Sequence, residues 1–241
     1  VNIAVVNKST LVSNAEAQAM TRLVFAQTRW HYFPAWTRWV ASLLFFPDES
    51  QVPAGTCKIA IFDNSDTPGA AGWHSEQGGL PYGRVFAKPA MDVGGDALMR
   101  DPTVASILSH EVLELLCDPT VNLWGSDFGL HGPPRAYAFE ICDAVEANSY
   151  GITVGSAGNV VSGRVSNFLF PAWFDPTGVT GPYDYLGLLS QPFAMTPQGY
   201  LIYKDEAGGT GTHTVYGDRY DEWRKATKVG ASRSARRRLR S

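Results

Sequence analysis

Hydrophobic and polar positions along the first half of the chain follow two periods. Asn2–Asn7 alternates weakly and predicts a first strand, and Val40–Phe46 and Lys58–Phe62 predict two more. Between the first two, Ala17, Met20 and Val24 recur at helical spacing behind Ser13-Asn14-Ala15-Glu16, an S-x-x-E capping box. A helix is expected from about Asn14 to Trp30, with Pro34 as its breaker. His31 reads as a packed aromatic neighbour. The Gly-rich Trp73–Tyr82 reads as a loop with His74 exposed on it, Gly83–Ala87 as a short strand, and Asp92–Asp96 as another loop.

The strongest pattern follows Pro102. At about 100° per residue, with His110 at zero, Glu114 falls near 40°, Asp118 near 80° and Glu111 near 100°. Val104, Leu108, Val112, Leu113, Leu115, Leu116 and Cys117 take most of the remaining circumference. A surface helix needs an apolar arc of only about 100°, so this wider arc predicts a buried helix with one polar stripe.

That stripe has the chemistry of a metal site. His110 and Glu114 stand one helical turn apart, so their side chains can share an ion, and Glu111 lies beside them where it can hold a water. The spacing is that of the H-E-x-x-H zinc helix with Glu in the second ligand position. The bland alternative is a polar face turned to solvent. A zinc site needs a third protein ligand, commonly from a later segment. The run Tyr137-Ala-Phe-Glu-Ile-Cys-Asp-Ala-Val-Glu146 offers Glu140 first and Asp143 second, Asp143 also as an orienting partner of His110. Asp118 is a further candidate.

Past Tyr150 the pattern becomes β-rich and loop-rich. Gly151–Val154 and Val160–Phe170 predict one hairpin, and Gln191–Tyr203 another turning at Pro197-Gln-Gly199. Residues 206–213 read as a flexible linker, and Tyr216–Lys228 as a short helix. Strand, helix, strands, key helix and then hairpins is the order of an α+β fold with a mixed sheet.

Composition narrows the class. Hydrophobic content of 44% with 18% charged residues is that of a folded globular chain. The 3 cysteines form no C-x-x-C pair and read as buried thiols in a reducing setting. No signal peptide and no apolar window of about 18 residues is evident, which predicts a cytoplasmic location and no membrane partner. Charge is split. All 23 acids and 12 of the 20 basic residues precede residue 224, a formal −11, and the last stretch holds the other eight, a formal +8. Its Arg233, Arg236, Arg237, Arg238 and Arg240 are expected to bind a neighbouring subunit or nucleic acid.

Three blocks also carry a resemblance: Ser109-His-Glu-Val-Leu-Glu114 with Asp118-Pro119, then Tyr137–Glu146, then Val165-Ser-Asn-Phe168 with Pro171-Ala-Trp-Phe174. Together they resemble a poorly characterised family of bacterial and bacteriophage proteins that is itself similar, around the helix, to zincin metallopeptidases. The resemblance covers roughly residues 80–175 and implies a zincin-like fold, with a location in the cytoplasm or within a phage particle. Joined to the patterns above, it gives an expected zincin-like α+β core over 1–150, a β-rich portion over 151–223 packed on it, and a basic tail over 224–241. It makes His110 and Glu114 metal ligands and Glu111 the general base, with Glu114 where zincins usually carry His.

Two functions follow. The first is a zinc-dependent hydrolase of peptides or proteins, in which Glu111 takes a proton from a metal-activated water. Tyr150 or His131 would then stabilise the oxyanion, and Leu80–Ala87 would offer an extended edge to the peptide. The second is a catalytically silent structural protein, such as a virion component, that self-assembles or joins a larger complex through its C-terminal half and basic tail.

Overall fold

The structure is a computed structural model that describes residues 1–38, 42–156, 158–207 and 211–220. The tail arginines Arg233, Arg236, Arg237, Arg238 and Arg240, and the expected helix beyond Tyr220, lie outside the described residues.

The chain combines helices with mixed sheets. Strand β1 (Asn2–Asn7) leads into helix α1 (Asn14–Gln27). The capping box forms as expected: Glu16 N–H donates to Ser13 Oγ at 3.2 Å, and Ser13 N–H donates to the Glu16 carboxylate at 2.8 Å. A wider helical turn over Thr28–Tyr32 and the short α2 (Phe33–Trp36) end this arm. Strands β2 (Ser42–Phe46), β3 (Cys57–Phe62), β4 (Gly72–Gln77) and β5 (Leu80–Phe86) complete a five-stranded sheet in the order β2-β1-β3-β5-β4. All neighbours are parallel except β4, which runs antiparallel to β5 at the edge.

Trp73–Tyr82 is therefore a hairpin and not a loop. Its turn is Gly78-Gly79, with φ of 62° and 81°. Two successive positive φ angles suit a two-residue turn that matches strand twist, and glycine adopts them without a Cβ penalty. The hairpin also changes which strand ends the order of the sheet. Leu80–Phe86 is paired on both sides, by β3 and by β4, so β4 is the terminal strand.

After α3 (Ala87–Met91) comes the key helix α4 (Val104–Cys117). Thr103 caps it, its Oγ1 accepting from Ser106 N–H at 2.9 Å. Every residue of α4 except Ser106 is buried. It packs on β4, β5 and α1, and across its far side on β9 of a hairpin formed by β8 (Ser149–Val154) and β9 (Val161–Ser166). Ser109 ties these layers together: its Oγ donates to Gln27 Oε1 at 2.6 Å and accepts from Ser166 N–H at 3.0 Å.

Strands β6 (Trp124–Ser126), β7 (Arg135–Ala138), β10 (Tyr200–Asp205) and β11 (Thr212–Tyr216) form an antiparallel sheet in the order β11-β10-β7-β6. The expected hairpin over Gln191–Tyr203 does not form. Tyr200–Asp205 pairs forward with Thr212–Tyr216, so the expected linker 206–213 gives way to strand at Thr212, and Tyr216, expected to open a helix, ends that strand. Gly199 instead turns against Ala144: a Cβ there would meet the Ala144 carbonyl oxygen at 2.1 Å. One apolar cluster runs from Ile3 through α4 to Leu201, so the β-rich portion shares its core with the first sheet. Among the described residues no helix is long and apolar enough to cross a membrane.

Candidate metal centre

Three segments far apart in sequence bring their polar groups to one buried place. Helix α4 contributes His110, Glu111 and Glu114, which are 4%, 0% and 1% exposed. The polar stripe is therefore not a solvated face. Burying carboxylates without compensating charge is costly, so the surroundings of each one matter.

His110 Nε2 lies 2.9 Å from Glu114 Oε1 and 3.2 Å from Asp143 Oδ1. The two acids thus converge on one imidazole nitrogen. Asp143 begins a short 3-10 turn, Asp143–Val145. Just before it, Cys142 N–H donates to Glu114 Oε1 at 3.2 Å, and its thiol points at the His110 carbonyl at 3.9 Å. Glu140, the first-choice third ligand, reaches His74 Nε2 at 4.0 Å, whereas Asp143 is the acid beside His110.

His74 is the residue that sequence reasoning missed. It is not exposed on a loop but buried on β4, at 8% exposure. Trp73 and His74 point to opposite faces, as successive strand residues do. Trp73 joins Phe62, Tyr82 and Phe86 in a separate apolar cluster, which leaves His74 facing α4. Its Nδ1 lies 3.7 Å from both Glu111 Oε2 and Glu114 Oε2, and its Nε2 lies 3.3 Å from the Asp118 carbonyl oxygen. Gly72 makes this approach possible: a Cβ there would stand 2.6 Å from Glu111 Oε1. The signal available in the sequence was Gly78-Gly79 between two extended runs, a two-residue hairpin turn.

Electrostatics reflect the crowding. Burial pushes the Glu114 carboxyl up, opposed by His110 and reinforced by the charges of Asp143 and Glu140. Burial alone pushes the His74 imidazole down, but the facing Glu111 and the charges of Glu140 and Glu114 outweigh it and bring it up to about 9. The site holds an excess of carboxylate that imidazolium alone does not balance.

The other candidates lie elsewhere or serve the frame. Asp118 closes the turn after α4, its carboxylate accepting from Asn122 and Leu123 N–H, each at 3.0 Å. Tyr150 Oη is held by Gln27 Nε2 at 3.1 Å and His31 Nδ1 at 2.7 Å. His31 is the expected aromatic neighbour, stacked on Tyr185. His131 Nε2 faces the Pro192 carbonyl at 3.4 Å. The structure does not show either proposed oxyanion residue beside the His110 cluster.

Two sets offer ligand atoms all within 4.8 Å of one another: His110, Glu114 and Cys142, and His74, Glu114 and Glu140. Imidazole, carboxylate and thiol are the donors that zinc takes, so the residues fit such an ion. Comparison with models of known protein families, with curated proteins and with solved structures finds no match for this chain.

Proposed function

We propose that this chain is a metal-dependent hydrolase of peptide bonds on a zincin-like scaffold, with a divalent ion, zinc by donor type, at His110, Glu114 and Asp143. The observation that carries the reading is the convergence of Glu114 Oε1 and Asp143 Oδ1 on His110 Nε2, at 2.9 and 3.2 Å. Ligands about 2.0–2.2 Å from one ion stand roughly 3.0–3.5 Å apart, the spacing that His110 Nε2 has to each acid; the Cys142 thiol is a further donor within 4.8 Å of His110 and Glu114.

When bound, the ion supplies Lewis acidity to a substrate carbonyl and acidifies a water. The chain supplies the rest. Glu111 takes the proton of the attacking water and passes it to the leaving amine. Cys142 N–H holds Glu114 Oε1 in place.

The test is a peptide library with wild type and Glu111→Gln, each with its zinc content measured. Expected is cleavage by wild type, abolished by chelator, and a loss of about 10²–10⁴-fold in Glu111→Gln with metal retained. A zinc-loaded wild type that cleaves nothing removes the hydrolase reading.

The burial of the cluster favours a second reading, a structural ion that joins α4, β4 and the Asp143 turn in a non-catalytic assembly protein. Under it, chelator lowers the melting temperature and Glu111→Gln changes neither assembly nor metal content.

A further inference from the structure

We propose that the cluster seats two divalent cations that share Glu114, the second held by His74 and Glu140. This rests on the metal reading above and goes beyond it, since a single ion at His110 leaves the β4 side unexplained.

Three observations support the second seat. The first is the carboxylate of Glu114, whose two oxygens face different imidazoles: Oε1 is 2.9 Å from His110 Nε2, and Oε2 is 3.7 Å from His74 Nδ1. A carboxylate placed this way bridges two ions, and paired catalytic ions stand about 3.5–4 Å apart.

The second is the orientation of His74. Its Nε2 faces the Asp118 carbonyl oxygen at 3.3 Å. A backbone carbonyl on one ring nitrogen fixes the tautomer and leaves the other nitrogen as a ligand, the usual arrangement of metal-binding histidine. The other nitrogen, Nδ1, is 3.7 Å from Glu114 Oε2 and equally far from Glu111 Oε2. That is longer than a hydrogen bond and close to the roughly 3.0–3.5 Å between two ligands of one ion. Glu140 is the third acid at this histidine: its Oε2 lies 4.0 Å from Nε2, and His74, Glu114 and Glu140 all offer atoms within 4.8 Å of one another.

The third is charge. Glu111, Glu114, Glu140 and Asp143 sum to −4 when ionised, with both histidines neutral as ligands. One dication balances half of this, and two balance all of it. Glu111 is then left as the carboxylate beside the second seat, 3.7 Å from His74 Nδ1, where it can receive a proton without itself ligating.

The experiment strips the full chain with chelator, dialyses it against zinc, and measures bound zinc per chain together with X-ray absorption at the zinc edge. Expected for wild type are two equivalents and a zinc–zinc distance of about 3.5–4 Å. His74→Ala and His110→Ala should each keep one equivalent, and Glu114→Ala should lose at least one. Circular dichroism checks that each variant folds. Glu140→Gln is the gentler probe, because Glu140 reaches the surface, and it should lower second-site occupancy at limiting zinc. A single equivalent in wild type, with no zinc neighbour in the absorption spectrum, overturns the second seat and leaves the first intact. No zinc at all overturns the metal reading itself. Two equivalents in wild type that both survive His74→Ala and Glu140→Gln place the second ion elsewhere and overturn this seat.

Discussion

The two ends of the buried cluster are held by different means. At the His110 end, α4 meets the Asp143 turn, and the second sheet clamps that turn from behind. Thr196 N–H and Oγ1 both donate to the Ala144 carbonyl, at 2.9 and 3.2 Å, and Gly199 packs against the same carbonyl. At the His74 end, the imidazole sits on the last strand of the sheet beside a two-glycine turn, and its near neighbour Glu140 is 10% exposed. The His110 end is thus braced by several elements and the His74 end by one hairpin. Under the two-ion proposal, an ion at the braced end would meet the more firmly held side chains, whereas one at the hairpin end would meet His74 Nδ1 and Glu114 Oε2 at the longer 3.7 Å. Preformed geometry favours affinity, so the two seats should fill in that order, His110 first.

Breaking the braced end should cost most. Gly199→Ala drives a Cβ into the Ala144 carbonyl oxygen, a backbone atom 2.1 Å away that cannot turn aside. We expect a loss of about 3 kcal/mol, read by denaturant unfolding, with the Asp143 turn displaced and zinc affinity reduced. Breaking the hairpin end should cost less. In Gly72→Ala the new methyl meets Glu111 Oε1 at 2.6 Å and Ile107 Cγ2 at 2.9 Å, both of them side chains with some freedom. About 1–2 kcal/mol is expected. Its signature is catalytic, since Glu111 is pushed off β4: turnover should fall while the His110 zinc stays. Equal losses of zinc in the two glycine variants would show that the ends are not braced differently.

Ser109→Ala probes what the ends have in common. It leaves buried Gln27 Oε1 and Ser166 N–H without their shared partner, at an expected cost of about 1–2 kcal/mol. Both proposed seats take Glu114 from α4, so both zinc affinities should shift together.

The smallest effect serves as a control far from the cluster. Asp63 accepts from the Ser9 hydroxyl and from Thr10 Oγ1 at 2.6 Å, which holds its carboxyl down to about 2. A depressed carboxyl contributes stability above its ordinary value near 3.8, and that contribution fades as pH falls through about 2. Asp63→Asn should therefore lower the melting temperature slightly at pH 6, with the gap from wild type closing towards pH 2. The gap should be the same with and without zinc.

The helical half of the site was legible because a buried helix writes its faces into the sequence with a period of 3.6. His110, Glu111 and Glu114 fall on one stripe by that rule alone. Which later acid joins His110 was not legible. Glu140 and Asp143 stand on an irregular segment after β7, where no period assigns direction, and only the fold puts Asp143 beside Nε2. His74 was hidden by composition: glycines around it suggested a loop, although paired glycines between extended runs also mark a tight hairpin. In the C-terminal part, Pro197-Gln-Gly199 looked like a hairpin turn. Gly199 is needed there for its close approach to Ala144, and the true strand partner of Tyr200–Asp205 lies further on.

The clamp on Ala144 has a consequence for how the protein is made. His74 and α4 leave the ribosome early, but the clamp on the Ala144 carbonyl is not complete until Thr196 and Gly199 have also emerged. For the synthesis of roughly fifty further residues, a time of several seconds at about 5–20 residues per second, the nascent chain carries a half-built cluster of acids and imidazoles. An ion taken up in that interval meets flexible ligands and can choose among them. One taken up after release meets a finished end and an unfinished one. Metal supplied during translation and metal supplied afterwards should therefore yield different starting occupancies of the same polypeptide.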